Sequence, residues 1–131
     1  MVDGAARGNP GPAGAGFLVM GRGWTTVRRG EYLGEATNNV AEYQALLFGL
    51  EEAVKAGAVR VRICSDSELL VKQMTGEYRV KNPRLKDLFM RAQRMASNLK
   101  DVTYSHIPRE ENKEADRLAN MAIDAEGPVS L

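Results

Sequence analysis

Four carboxylates stand in settings that ordinary surface charges rarely occupy. Asp3 lies in a strand-like segment at the start of the chain, Glu42 lies near the start of a long helical pattern, Asp66 directly follows an apolar strand pattern, and Asp116 lies near the start of the last helical pattern. The chain has 17 acidic residues, so only their context distinguishes these four. Carboxylate oxygens are the ligands that hard divalent cations prefer. Such a cluster is typical of two-metal phosphoryl hydrolysis, in which Mg²⁺ ions activate a water and stabilise the leaving oxygen. The four are therefore candidate catalytic and metal-binding residues.

Three of these carboxylates also have an ordinary structural explanation. Glu42 fits the third position of a capping box that begins at Asn39, and taken alone this role is favoured over catalysis. Asp66 could be a first-turn anion of a helix, and Asp116 could pair with a nearby lysine. Asp3 is harder to explain, because Asp is disfavoured in strands and a buried charge needs a cation or a hydrogen-bond donor.

The sole histidine, His106, is a further candidate, since it ends the last strand pattern ten residues before Asp116. An unperturbed imidazole has a pKa near 6.5, so His106 could shuttle protons or help product leave. A capped or solvent-facing histidine without a role is an equally good explanation. Carboxylates without several His or Cys residues favour magnesium over zinc.

The composition predicts one domain of moderate size. The chain has 131 residues, of which 44% are hydrophobic, and its formal net charge is +1. This balance gives no global attraction for nucleic acid or membranes, so any anionic partner must be held locally. Cys64 has no second cysteine to pair with, which favours a reducing, cytoplasmic location. We expect a monomer without a membrane span, with one domain over residues 1–125 and a flexible tail over residues 126–131.

The patterns along the chain predict a mixed α/β architecture in the order βββαβααβα. The first three strands should form an antiparallel meander, and the two later strands should be parallel, giving a five-stranded mixed sheet flanked by helices. The first long helix is expected to begin after Asn39 and to stop at Gly57. In an open α/β sheet the ligand crevice lies beyond the carboxyl ends of the parallel strands, where Asp66 is predicted to lie.

Four separate motifs, in order, resemble type 1 ribonuclease H over nearly the whole chain. The matching stretches are Asp3-Gly4-Ala5-Ala6-Arg7-Gly8-Asn9-Pro10-Gly11-Pro12-Ala13-Gly14, Thr37-Asn38-Asn39-Val40-Ala41-Glu42, Ser65-Asp66-Ser67, and His106-Ile107-Pro108-Arg109 with Asn112-Lys113-Glu114-Ala115-Asp116. The resemblance implies the ribonuclease H-like fold, whose βββαβα core agrees with the element order predicted above.

The resemblance also implies a function and a set of site residues. The activity would be endonucleolytic cleavage of the RNA strand of an RNA/DNA hybrid, leaving 3′-hydroxyl and 5′-phosphate ends. The carboxylates would hold two Mg²⁺ ions, for which Mn²⁺ could substitute, and His106 would assist catalysis and product release. Three polar residues would contact the sugars and phosphates of the hybrid, although turn and cap roles also explain them. The residues that the resemblance assigns are the metal ligands Asp3, Glu42, Asp66 and Asp116, and the substrate contacts Asn9, Thr37 and Asn38.

Three features depart from the family pattern. Only Met1 and Val2 precede Asp3, so the first strand should be short. The segment 76–88 is short, and its four basic residues are partly offset by two acidic ones, which predicts weak, salt-sensitive substrate binding. The sequence contains no separate hybrid-binding domain, so processivity should be low.

Three other functions remain open from the sequence. A DNA nuclease resembling resolvases or transposases would use the same fold, and duplex DNA offered beside the hybrid separates the two. A catalytically silent nucleic-acid-binding module would bind the hybrid without turnover. A small phosphohydrolase acting on nucleotides is disfavoured, because the chain has no Gly-rich loop of P-loop spacing.

Overall fold

A computed structural model describes residues 1–21 and 23–131 of the chain. Within these residues the six strands form one sheet in the order β5-β4-β1-β2-β3-β6. The strands are β1 (Val2–Ala6), β2 (Gly11–Val19), β3 (Val27–Ala36), β4 (Arg60–Ser65), β5 (Asp101–His106) and β6 (Val129–Ser130). The helices are α1 (Asn38–Lys55), α2 (Glu68–Met74), α3 (Pro83–Ala96) and α4 (Lys113–Ala125), and a short 3₁₀ turn covers Arg109–Glu111.

The predicted antiparallel meander is confirmed. β1 pairs with β2 from Val2↔Phe17 to Ala6↔Ala13, and β2 pairs with β3 along its full length. β2 begins at Gly11, and the glycines and alanines of its first half show none of the apolar alternation by which a sequence indicates a strand. The turn between β1 and β2 is therefore confined to residues 7–10.

The parallel half of the sheet brings several strand ends to one edge. β4 pairs with β5 from Arg60↔Asp101 to Ser65↔His106, whereas β1 meets β4 only at Val2↔Ser65. Asp3 and Asp66 each follow one member of that single β1–β4 pair. This parallel register places both carboxylates at the same level of the sheet.

The predicted count of five strands is corrected to six. Val129 and Ser130 pair with Gly30 and Arg29 of β3, and the Leu131 N–H donates to the Arg28 carbonyl at 3.0 Å. These residues belong to the segment 126–131 that was expected to be a tail. A two-residue strand has no periodicity, so the sequence pattern could not predict it.

The start of α1 also differs from the prediction. Thr37, not Asn39, is the N-cap, and its side chain accepts a hydrogen bond from the Val40 N–H at 3.2 Å. Asn39 is inside the helix, so the capping box assigned to Glu42 does not exist. The ordinary structural explanation for this glutamate is wrong.

The core lies on both faces of the sheet. Phe17 of β2 packs in the main apolar cluster with Leu46 and Leu50 of α1, whereas the next residue, Leu18, packs with Ala115 and Leu118 of α4. Successive strand residues point to opposite faces, so α1 and α4 cover opposite sides of β2. Among the described residues, no helix is both long and apolar enough to cross a membrane.

Candidate active site

All four predicted carboxylates line one polar cavity of about 570 Å³, which lies where β4 ends beside β1. Asp3 comes from β1, Asp66 follows β4, Glu42 comes from the second turn of α1, and Asp116 comes from the first turn of α4. Four separate elements therefore converge on a single site, as the sequence predicted. The other lining residues are Gly4, Ala5, Ala6, Asn38, Ser67, Arg109 and Asn120.

Two of these carboxyl groups are almost fully buried. Asp3 is 5% exposed and Glu42 is 7% exposed. Burial, followed by the charges of the other three carboxylates, raises the pKa of Asp3 to about 10. Burial, followed by the charge of Asp66, raises the pKa of Glu42 to about 8. A site that concentrates this much negative charge away from water needs a cation to stabilise the ionised forms.

The residues fit a divalent cation by their chemistry. The Glu42 Oε2 atom is buried without a hydrogen-bond partner among the described residues, which leaves a carboxylate oxygen free to act as a ligand. Oxygen donors alone are the set that Mg²⁺ and Mn²⁺ prefer. Across residues 1–21 and 23–131, no three acidic, His or Cys side chains already stand together as a closed ligand set. The four carboxylates line an open cavity instead.

Asp66 is held in place by a buried amide. The Asn112 Nδ2 group donates to Asp66 Oδ1 at 3.0 Å and to the Val2 carbonyl at 2.9 Å. Asn112 is the N-cap residue of α4, yet its side chain makes no capping hydrogen bond. Its side chain is 1% exposed and joins β1, the residue after β4, and the start of α4. The Ser65 hydroxyl accepts the Ser67 N–H at 3.0 Å and shapes the turn that carries Asp66.

Asp116 has an amide neighbour one helical turn later. The Asn120 Nδ2 group donates to the Asp116 backbone carbonyl at 3.0 Å and to Asp116 Oδ1 at 3.3 Å. Arg7 approaches Asn120 from the β1–β2 turn, with its Nη2 atom 3.4 Å from Asn120 Oδ1. The same guanidinium pairs with Asp124 at 2.7 Å.

The three predicted substrate contacts lie together beside the cavity. The Asn9 Oδ1 atom accepts the Asn38 N–H at 3.0 Å, and the Asn38 Oδ1 atom accepts the Ala6 N–H at 3.1 Å. Thr37 Oγ1 accepts the first-turn hydrogen bond of α1. Because the backbone uses their acceptor oxygens, the two amide NH₂ groups and the hydroxyl hydrogen remain available as donors.

His106 lies at the same edge of the sheet but outside the cavity lining. It ends β5 opposite Ser65, is exposed, and lies near Glu68 at the start of α2. Arg109, from the 3₁₀ turn, does line the same cavity as the four carboxylates.

The sequence analysis missed four residues that shape this site, namely Arg7, Arg109, Asn112 and Asn120. Arg7, Arg109 and Asn112 occur within the motifs quoted above, but nothing in the motifs assigned them a contact. Asn120 carries a weak signal, because asparagine is a poor helix former and stands one turn after Asp116.

A second cavity, mainly apolar and about 470 Å³ in volume, lies beside the start of β1, at Met1 and Val2. None of the predicted site residues lines it. It has no part in the chemistry of the carboxylates.

The chain is similar in sequence and in structure to several known proteins. A family model described as reverse transcriptase-like matches residues 1–122. The bifunctional protein Rv2228c of Mycobacterium tuberculosis is 48% identical over 126 residues, which cover 95% of this chain and 35% of that protein. This chain thus spans about a third of the length of that relative. Ribonuclease HI of Halobacterium salinarum is 43% identical, over 93% of this chain and 62% of the relative. The solved structure of LC11-RNase H1 in complex with RNA/DNA hybrid is 43% identical, with a TM-score of 0.88, and 95% of each chain is covered.

Proposed function

We propose, from the premise that this chain belongs to the type 1 ribonuclease H family, that it is an endonuclease for RNA/DNA hybrids. It hydrolyses the RNA strand and leaves 5′-phosphate and 3′-hydroxyl ends. The observation that carries the proposal is the convergence of Asp3, Glu42, Asp66 and Asp116 on one cavity. The enzyme would be a monomer, and a cytoplasmic location is consistent with the free Cys64.

The four carboxylates would hold two Mg²⁺ ions, for which Mn²⁺ can substitute. Bound there, the ions would supply the Lewis acidity that activates the attacking water and stabilises the leaving oxygen. Asp3 and Glu42 would contribute the buried ligand oxygens. Because the pKa of both groups is raised, a bound cation would have to displace their protons. Asp66 and Asp116 also line the cavity but are less buried, so they would be the more accessible ligands for a phosphate-bound cation.

Recognition of the hybrid would rest on the donors beside the cavity. The amide groups of Asn9 and Asn38 and the Thr37 hydroxyl can donate to phosphate oxygens and to ribose 2′-hydroxyls. A solved relative, LC11-RNase H1, was captured with an RNA/DNA hybrid, which supports the same substrate here. Contacts to 2′-hydroxyls would select the RNA strand for cleavage.

Two further side chains have roles at the reaction. His106 is exposed at the end of β5 and would assist catalysis and help the product leave. Arg109 lines the cavity and would pair with a phosphate oxygen of the substrate.

The test is cleavage of a labelled RNA/DNA hybrid in Mg²⁺, with and without EDTA, beside the Asp66→Asn variant. We expect EDTA to abolish cleavage and the substitution to lower kcat by at least about 100-fold, because a ligand of the reacting centre is lost. Undiminished cleavage in either arm would refute the proposal.

Matched substrates separate this enzyme from related activities. The same sequence offered as duplex DNA should remain intact, and cleavage of it would favour a DNA nuclease instead. Binding of the hybrid without turnover in Mg²⁺ or Mn²⁺ would indicate a silent binding module.

A further inference from the structure

We propose that Asn120 is a positioning residue for Asp116, and that Arg7 fixes the orientation of the Asn120 amide. The part of this inference that concerns turnover rests on the proposed function. The part that concerns cation binding requires only that the four carboxylates bind Mn²⁺, not that the protein cleaves a hybrid.

The contact between Asn120 and Asp116 uses both ends of the aspartate. Asn120 Nδ2 lies 3.0 Å from the backbone carbonyl of Asp116 and 3.3 Å from its Oδ1 atom. An amide that donates to one carboxylate oxygen restricts rotation of the side chain and leaves the other oxygen of Asp116 free to bind a cation. Asn120 itself lines that cavity, so the arrangement lies at the site.

The orientation of the Asn120 amide decides whether it attracts or repels the Asp116 carboxylate. With Nδ2 toward Asp116, the amide donates to a carboxylate. If the amide flipped, its oxygen would face the carboxylate oxygen and repel it. Arg7 determines the choice, because its Nη2 atom lies 3.4 Å from both the side-chain and the backbone oxygen of Asn120. A guanidinium has only donors, so it holds the amide oxygen on its own side.

Arg7 is in turn anchored at both ends. Its guanidinium pairs with Asp124, one turn after Asn120 on the same helix, at 2.7 Å. Its backbone N–H donates to the Pro12 carbonyl across the β1–β2 turn at 2.9 Å. That turn also carries Asn9, which is bonded to the start of α1. The Arg7–Asn120–Asp116 chain therefore connects the turn of a proposed substrate contact with a proposed metal ligand.

Mn²⁺ titration by calorimetry, without nucleic acid, tests the inference. Residues that hydrogen-bond a metal ligand change the metal affinity by roughly 10- to 100-fold. Because the contacts of Asn120 with Asp116 are only partly buried, Asn120→Ala should weaken Mn²⁺ binding by about 10-fold. Arg7→Ala should weaken it by roughly 3-fold, because the amide remains but loses its fixed orientation. Arg117→Ala is the matched control, since it removes an exposed cation from the same helix beside Asp116.

The double variant of Arg7 and Asn120 tests whether Arg7 acts through Asn120, an arrangement called here the relay, or through its charge alone. If Arg7 acts through Asn120, adding Arg7→Ala to Asn120→Ala should cause no further loss of Mn²⁺ affinity. Full additivity, an effect of Arg117→Ala equal to that of Arg7→Ala, or wild-type affinity in Asn120→Ala would each overturn the inference. Thermal unfolding of each variant identifies any that fail to fold, and an Asn120→Leu variant, which removes the donor at similar size without adding a charge, then provides a second test with the same expected loss.

Turnover supplies a separate reading. In the folded Asn120→Ala variant we expect kcat for the hybrid to fall about 10-fold at saturating Mn²⁺ with KM little changed, because the substrate contacts are intact. Loss of Mn²⁺ affinity in a protein that cleaves no hybrid would support the relay while refuting the proposed function. Normal cleavage with unchanged affinity would refute the relay alone.

Discussion

Replacing Asp3 by asparagine should stabilise the protein in the absence of divalent cations, although it removes a proposed metal ligand. Asp3 is buried among three other carboxylates, and burial and their charges raise its pKa to about 10 from an ordinary value of 3.8. The folded state therefore holds this proton more tightly than the unfolded chain does. The contribution of Asp3 to the free energy of unfolding is therefore greatest below about pH 4 and is lost as the pH rises toward 10.

The size of the effect follows from the same shift. At pH 7 the gap above the unfolded pKa is about 3 units, and at about 1.4 kcal/mol for each unit the upper limit is about 4 kcal/mol. The neighbouring carboxylates share the repulsion and can relax, so we expect about 2 kcal/mol at pH 7. Asparagine has nearly the same shape and does not titrate, so the variant lacks this loss.

Urea unfolding in EDTA at pH 5, 7 and 9 measures the difference. The variant should gain stability over the unmodified protein as the pH rises, with the smallest gain at pH 5. Added Mn²⁺ should reverse the order, because the cation stabilises only a protein whose ligands are complete. A difference that does not change with pH, or a variant less stable than the unmodified protein at pH 9 in EDTA, would refute the electrostatic reasoning.

Two further outcomes are expected. Asn112→Ala should lower the free energy of unfolding by about 1–3 kcal/mol, since it leaves the Val2 carbonyl and an Asp66 oxygen without their donor, and urea unfolding checks this against an Asn98→Ala control at an exposed site. Raising NaCl from 50 to 200 mM should raise the KM for the hybrid by roughly 10-fold, because the four basic and two acidic residues of segment 76–88 leave enough positive charge to neutralise about two phosphates. A KM independent of salt would contradict this.

The four carboxylates could be predicted because each stands at an element boundary that the local pattern also marks. Asp66 follows an apolar strand and Asp116 begins a helix, and the rules for parallel sheets then bring such ends together. The cap of α1 was misplaced by two residues, because Thr37 and Asn39 are both good N-cap residues and local preference could not choose between them. The choice changed the interpretation of Glu42.

The contacts that hold the site could not be predicted, because they join residues distant in the chain. Arg7 meets Asn120 across 113 positions, and Asn112 meets Val2 across 110. No local pattern carries such information, and Asn112 in particular looks like a cap in sequence while its side chain bonds elsewhere. Only the packing of α4 against the sheet reveals these partners.

Gly4, the residue after Asp3, packs its backbone directly against the backbone of α1 at Ala41 and Glu42, leaving no space for even a methyl group. A contact between two main chains has no rotamers to adjust. Helix α1 and strand β1 are consequently locked as one rigid unit that carries Asp3, Glu42 and the polar residues at the helix start. Any shift of the helix would move the proposed cation ligands and the proposed substrate donors together, so the spacing between them is set by the backbone of the fold.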